Sequence, residues 1–311
     1  MKSDWTWVDS RSGLEQARED LEGTAVIGID TEYDSFRYFR ERLCLIQISS
    51  ARRIYLIDPL DPPDLTFLEE AFADPRILKV LHAGDNDIRI LKRDYGMRFD
   101  NVFDTHRAAA LLGCQHLALS TLICLYLGVD FQKNKKMQRS NWENRPLTAE
   151  QLDYAVRDAA LLIDLYRTLD KEIEKKGLQA AAAQAFFGTT QVEWHERTLD
   201  PRAHMRIDGY AELEEDERWR LGCLYRWRFQ KAKEINRAAF MLLSEKEMIG
   251  LAKLSSPTLE ALTEGAGLAR ERANRFGREI VEALSRGTCR PIPCRCPAGR
   301  KQIEERDRFT E

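Results

Sequence analysis

Val26-Ile27-Gly28-Ile29-Asp30-Thr31-Glu32-Tyr33 is an apolar run that ends in two carboxylates spaced two residues apart. A run this rich in Val and Ile reads as a strand buried on both faces. Side chains alternate along a strand, so Asp30 and Glu32 project from the same face. Two acids side by side at the end of a buried strand repel each other, and apolar surroundings make their ionised forms costly. A divalent cation removes both penalties. The stretch therefore predicts a cation-binding strand end.

The 311 residues suffice for one large or two ordinary domains. A charged fraction of 32% beside an apolar fraction of 43% excludes a disordered chain. No apolar run approaches the roughly 20 residues that span a bilayer, and Met1-Lys2-Ser3-Asp4-Trp5-Thr6-Trp7 lacks the apolar core of a signal peptide. Seven cysteines, an odd number without a repeating pattern, suit a reducing compartment. The expectation is a cytoplasmic protein with no membrane partner. The net charge of −3 hides an asymmetry. Residues 216–287 carry 14 Lys+Arg against 10 Asp+Glu, and residues 288–311 carry 6 against 4. An acidic body joined to a basic C-terminal part fits cation binding in the first and nucleic-acid contact in the second.

Asp9 to Leu21 reads as a helix leading into the strand that carries Asp30 and Glu32. After the aromatic and basic segment Phe36 to Arg42 come two short apolar runs, Leu43–Ile48 and Ile54–Ile57, which predict an antiparallel meander. Beyond Pro59 the signals alternate: helix at Leu65–Phe72, strand at Ile77–Leu81, helix at Asp87–Arg93, short strand at Val102-Phe103. That alternation predicts parallel crossovers. Thr148, with Pro146 before it and Glu150 in the first turn, opens a helix expected to run to Lys176 and stop at Gly177. The fold class is α/β, a mixed sheet flanked by helices over 1–177. A helical linker region follows over 178–215, then a small all-α domain over 216–287 and a tail without periodicity over 288–311. In the all-α part Ser244 and Glu247 form a capping-box pattern, and Arg275-Phe276-Gly277-Arg278 opens the last helix.

Two further acids can complete the cation centre. Asp87 opens a helix in His82-Ala83-Gly84-Asp85-Asn86-Asp87, and Asp158 lies four residues after Tyr154 on one helix face. Oxygen ligands of this kind suit Mg²⁺ or Mn²⁺ rather than Zn²⁺. Asp30-Thr31-Glu32, Asp87 after His82-Ala83-Gly84, and Tyr154-Ala155-Val156-Arg157-Asp158 resemble the three motifs of the DEDDy class of 3′–5′ exonucleases. Arg42–Ile48, Phe103-Asp104-Thr105 and Gln138–Trp142 with Arg145-Pro146-Leu147 add the pattern of its ribonuclease D branch. Residues 216–287 resemble the HRDC domain.

The resemblance implies a ribonuclease H-like fold and a site for two divalent cations roughly 4 Å apart. It implies that Asp30 bridges both cations, that Glu32 and Asp158 complete the first, and that Asp87 holds the second directly or through water. It further implies that Tyr154 orients the attacking water, a role consistent with a phenol being a poor base at neutral pH. The implied activity is exonucleolytic release of nucleoside 5′-monophosphates from single-stranded 3′ ends of RNA, in tRNA precursors or other small RNAs. The residues leave open a DNA 3′–5′ exonuclease and a nucleic-acid-binding protein with an inactive nuclease domain. His82 reads as a packed structural residue and Asp104 as a local cap. The cation-rich segment 133–145, with Lys136, Arg139, Trp142 and Arg145, offers RNA contacts, as does Tyr38 beside the first motif. In the all-α domain Arg226, Arg228, Lys231 and Lys233 form a candidate nucleic-acid face. Cys289, Cys294 and Cys296 lack a fourth ligand and read as incidental rather than as a zinc site.

Overall fold

The structure, a computed structural model, describes residues 4–60, 64–131 and 135–285. It divides into two compact units, Met1–Arg197 and Thr198–Glu311. In the first, β1 (Trp5–Val8) leads to α1 (Arg11–Leu21), then β2 (Val26–Asp34), β3 (Arg42–Ser49) and β4 (Ile54–Ile57). Next come α2 (Thr66–Ala73), β5 (Leu78–Leu81), α3 (Asp85–Tyr95), β6 (Val102–Asp104), α4 (Thr105–Leu111) and α5 (Leu119–Leu127). The unit closes with α6 (Lys135–Gln138), α7 (Ala149–Ala160), α8 (Leu162–Lys175) and α9 (Gln179–Thr190).

The six strands form one mixed sheet in the order β1-β4-β3-β2-β5-β6. β2 lies inside it, antiparallel to β3 and parallel to β5. The meander and the parallel crossovers expected from the sequence are both present. One face buries Ile27, Ile29, Ile46 and Ile48 against Leu14 and Ala17 of α1, Phe72 of α2 and Ile88 of α3. The other buries Leu45 and Leu56 under Ala155 and Ala159 of α7, and Val80 under Leu162 and Leu165 of α8. Helices therefore cover both faces, which is why the strands read as continuous apolar runs. The strand register shifts between Glu32 and Tyr33, immediately after the second acid. Such a bulge bends a strand and re-aims its end.

Three expectations need correction, and one strand was not foreseen. Trp5–Val8 is a strand, paired in parallel with β4 at the sheet edge, although its four residues carry too little pattern to stand out. The helix expected from Thr148 to Lys176 is two helices, broken at Leu161, whose backbone (φ −104°, ψ 3°) leaves the helical region. The first unit extends to Arg197 rather than ending at Gly177, since Ala182 and Phe186 of α9 pack with Val80 and Phe103 of the sheet. Lys92 of α3 also donates to the carbonyls of Thr190 and Val192 at 2.9 and 3.1 Å. The last helix starts at Arg270, ahead of Arg275.

The second unit is helical: two 3₁₀ turns (Ala203–Arg206 and Tyr210–Glu212), then α10 (Glu215–Glu234), α11 (Ala239–Leu242), α12 (Glu245–Ala252), α13 (Leu259–Glu264) and α14 (Arg270–Ser285). Leu221, Leu224, Met248, Leu262 and Ile280 are in its core. The capping box of Ser244 and Glu247 forms, and Glu247 also pairs with Arg272 of α14 at 2.5 Å. The basic face expected on α10 is partly consumed by packing. Arg228 is buried and donates to the Leu243 carbonyl at 2.9 Å, while Lys231 pairs with Glu279 at 3.0 Å. Residues 288–311, with Cys289, Cys294 and Cys296, lie outside the described residues. Among the described residues no helix is long and apolar enough to cross a membrane.

One buried cation belongs to the sheet itself. Lys79 on β5 is 0% exposed, and its ammonium donates to the carbonyls of Asp74 and Ile77, both at 2.8 Å. Burial pulls the ammonium down from 10.5 to about 8. Between those values the unfolded chain holds a proton that the folded chain has lost, so stability rises with pH. Urea denaturation at pH 7.5, 8.5 and 9.5 is expected to show wild type gaining on Lys79→Met as pH rises. A constant difference between the two proteins would contradict the assignment.

Candidate metal centre

The site is assembled from two elements that meet over β2. Asp30 pairs in register with Gln47 and Glu32 with Leu45 on β3, so both acids leave the sheet on the side covered by α7. α7 begins where Thr148 accepts from the Gln151 amide at 3.2 Å and the Gln151 side chain accepts from the Thr148 amide at 3.0 Å. This reciprocal cap fixes the first turn, and the helix then aims Tyr154 and Asp158 from one face. Asp30, Glu32 and Asp158 offer carboxylate oxygens that all lie within 4.8 Å of one another. Glu32 and Asp158 are buried and Asp30 is partly so.

Three carboxylates this close, in a place of low exposure, repel one another strongly. The donor set is all oxygen, with no His or Cys among it, and suits a hard divalent cation. Tyr154 stands at the edge of the cluster. Its ring packs on Trp142 with centroids 5.9 Å apart. Burial, and then the charges of Asp158 and Glu32, push its phenol far above the ordinary value, and it donates a hydrogen bond to Asp158. In this geometry the hydroxyl serves as a hydrogen-bond donor. Beside the acids lies a hollow of about 250 Å³ lined by Phe131, Met137, Glu150, Asp153, Tyr154, Arg157 and Asp158. The Arg157 guanidinium lies 5.1 Å from the Phe131 ring centre. Sequence reasoning missed Arg157, although it lies inside the third motif.

Asp87 stands apart from the three grouped acids. It is buried in the first turn of α3, and its carboxylate accepts a hydrogen bond from the Thr31 hydroxyl. Thr31 alternates with Asp30 and Glu32 and so points to the other face of β2. Burial raises the Asp87 carboxyl to about 6, and the charges of Asp104 and Asp85 also act upward. Asp85, the competing position in sequence, instead pairs with Arg107 at 2.9 Å.

The turn that delivers α3 is held by Asp104, which is fully buried and accepts four backbone amides. Ala83 and Gly84 donate at 3.1 and 3.0 Å, and His106 and Arg107 at 2.9 and 3.2 Å. Ala83 adopts a left-handed backbone (φ 52°) that this clamp stabilises. His82 shares a hydrogen bond with Thr105 at 2.9 Å, as a packed structural residue.

Of the side chains expected to touch RNA, three turn inward. Trp142 is 1% exposed and packs beneath α7 rather than stacking a base. Tyr38 is 4% exposed, with its hydroxyl accepting from Arg42 at 3.1 Å. Arg145 clamps Asp58 through two hydrogen bonds at 2.5 and 2.7 Å and donates to the Cys44 carbonyl at 2.7 Å. Lys136 and Arg139 are exposed, as RNA contacts require. Phe36 is 68% exposed on a turn that Asp34 stabilises by accepting the Phe36 and Arg37 amides at 2.9 and 2.8 Å.

Residues 5–174 match a family described as 3′–5′ exonuclease, and residues 217–284 match the HRDC domain. The chain is 28% identical to the exosome complex component 10 homolog of Drosophila melanogaster over 92% of its own length and 33% of that protein. It is 30% identical to ribonuclease D of Granulibacter bethesdensis, over 83% of this chain and 65% of the relative. It thus spans about a third of the fly protein and just under two thirds of the bacterial one. The crystal structure of Escherichia coli RNase D, titled an exoribonuclease involved in structured RNA processing, superposes with a TM-score of 0.66 at 26% identity. That likeness covers 90% of this chain and 74% of the other.

The inward and outward cations separate in experiment. Arg145→Ala, which strands the buried Asp58, is expected to lower unfolding free energy by on the order of 2 kcal/mol. Lys136→Ala and Arg139→Ala are expected to stay within about 0.5 kcal/mol of wild type. Urea denaturation measures all three, and an undisturbed midpoint for Arg145→Ala would contradict the clamp.

Proposed function

Because the chain belongs to the 3′–5′ exonuclease family and carries an HRDC domain behind it, we propose that it is a metal-dependent exoribonuclease of the ribonuclease D type. It removes nucleotides one at a time from single-stranded 3′ ends, releasing nucleoside 5′-monophosphates. The observation that carries this reading is the grouping of Asp30, Glu32 and Asp158 with the Tyr154 phenol at its edge. Relatives named ribonuclease D favour RNA over DNA and make tRNA precursors or other small RNAs the first substrates to test. The four free cysteines among the described residues fit a reducing compartment, and the cytoplasm is the proposed location.

Asp30, Glu32 and Asp158 would hold one divalent cation, and Asp87, from beside Thr31, would serve a second through water. Mg²⁺ and Mn²⁺ both suit these oxygen donors. When bound, the cations supply the positive charge that acidifies the attacking water and stabilises the departing 3′ oxygen. Tyr154 donates a hydrogen bond to Asp158, which leaves the phenol oxygen to accept a hydrogen bond from the water and set its direction. Lys136 and Arg139, both exposed, would meet phosphates of the incoming strand.

The test compares matched 5′-labelled RNA and DNA strands with Mg²⁺ or Mn²⁺. Wild type is expected to shorten RNA from its 3′ end in single-nucleotide steps. Asp30→Ala is expected to lose about a thousandfold in rate or more, several kcal/mol of transition-state stabilisation, while RNA affinity survives. Preference for DNA overturns the substrate, intact RNA with wild type overturns the activity, and an active Asp30→Ala overturns the site.

A further inference from the structure

Gln47 lies on β3 directly across from Asp30. Directly opposed residues of an antiparallel pair leave the sheet on the same face, with Cβ atoms about 4.5–5.5 Å apart. The Gln47 amide and the Asp30 carboxylate therefore stand side by side under α7. The other neighbours of Gln47 on that face are Leu45 and Ser49 along β3 and Leu56 across on β4. Ala155 and Ala159 of α7 belong to the same apolar cluster as Leu45 and Leu56.

Gln47 is 0% exposed, and neither its amide nitrogen nor its carbonyl oxygen has a hydrogen-bond partner among the described residues. A buried amide without a partner costs stability that a leucine of similar volume would not. Native proteins keep such groups rarely, and each one asks for a reason. Of the ionisable residues on this face, Asp30 stands directly opposite Gln47, with Glu32 diagonal to it on β2 and Asp158 reaching in from α7. An amide can donate to a carboxylate without bringing a positive charge that would compete with a cation for it. Lysine or arginine at this position would neutralise the ligand.

We infer that Gln47 is a positioning residue for the metal centre: when a cation is bound, its amide N–H turns to the Asp30 carboxylate and holds it as a ligand. The backbone ladder fixes the two residues opposite each other, at a spacing that a side-chain amide and a carboxylate can bridge. The inference rests on the reading of Asp30 as a metal ligand.

The test uses the full chain, with Mn²⁺ as the probe. Mn²⁺ affinity is measured by calorimetry, and melting temperature with and without Mn²⁺, for wild type, Gln47→Leu, Ser49→Ala and Asp30→Ala. Gln47→Leu is expected to melt at or above wild type without metal. It is also expected to bind Mn²⁺ about tenfold more weakly, to gain less melting temperature from it, and to lose kcat. Ser49 Oγ is likewise buried without a partner among the described residues, so Ser49→Ala removes a polar atom from the same layer and is expected to keep wild-type affinity. Unchanged Mn²⁺ affinity in Gln47→Leu, or an equal loss in Ser49→Ala, overturns the inference while leaving the proposed function standing. Equal Mn²⁺ binding by wild type and Asp30→Ala overturns both. Should Gln47→Leu fail to fold, Gln47→Met takes its place with the same outcomes.

Discussion

Repulsion among three carboxylates is the constraint around which the first unit is built. Asp30, Glu32 and Asp158 lie within 4.8 Å of one another at low exposure, where like charges interact far more strongly than in water. Left alone, such side chains would turn away toward solvent. They do not, because the backbone beneath them is over-determined. β2 is held on both sides by neighbouring strands, and α7 lies on the sheet through alanines at 155 and 159 with a capped first turn. The stability spent on gathering the acids is what cation binding returns.

The same logic governs the second acid-bearing element. Asp87 is set by α3, α3 by the turn at 82–84, and that turn by the carboxylate of Asp104 at the end of β6. Charged groups thus appear twice, once gathered where a cation can serve them and once satisfied by backbone amides. Asp104 accepts four N–H groups, whereas Asp30, Glu32 and Asp158 bring their own oxygens within 4.8 Å of one another. Composition makes the two kinds of aspartate look alike, and their hydrogen bonds separate them.

This difference explains how much could be read from the sequence. The period of two along β2 and the spacing of four along α7 are local, and both placed the acids and Tyr154 on shared faces that the structure brings together. The apolar runs marked β2 to β5 because buried strands read continuously. Asp87 is not among the three grouped acids, and its position depends on a turn tied to β6, a contact no local pattern encodes. Trp142, Tyr38 and Arg145 were misplaced for a related reason. A basic and aromatic segment has the same composition whether its side chains meet solvent or, like Arg145, clamp a buried Asp58. Leu161 breaks a helix without glycine or proline, and β1 is too short to show a period.

The acids also come from opposite ends of the first unit, Asp30 from its second strand and Asp158 from its seventh helix. Contacts of such sequence separation form late, after loop closure has been overcome. A chain emerging from the ribosome exposes β2 long before α7 exists, so Asp30 and Glu32 wait at an unfinished site until Asp158 arrives. Until then the acid cluster is incomplete by topology alone. The order of elements along the chain acts as a timing device.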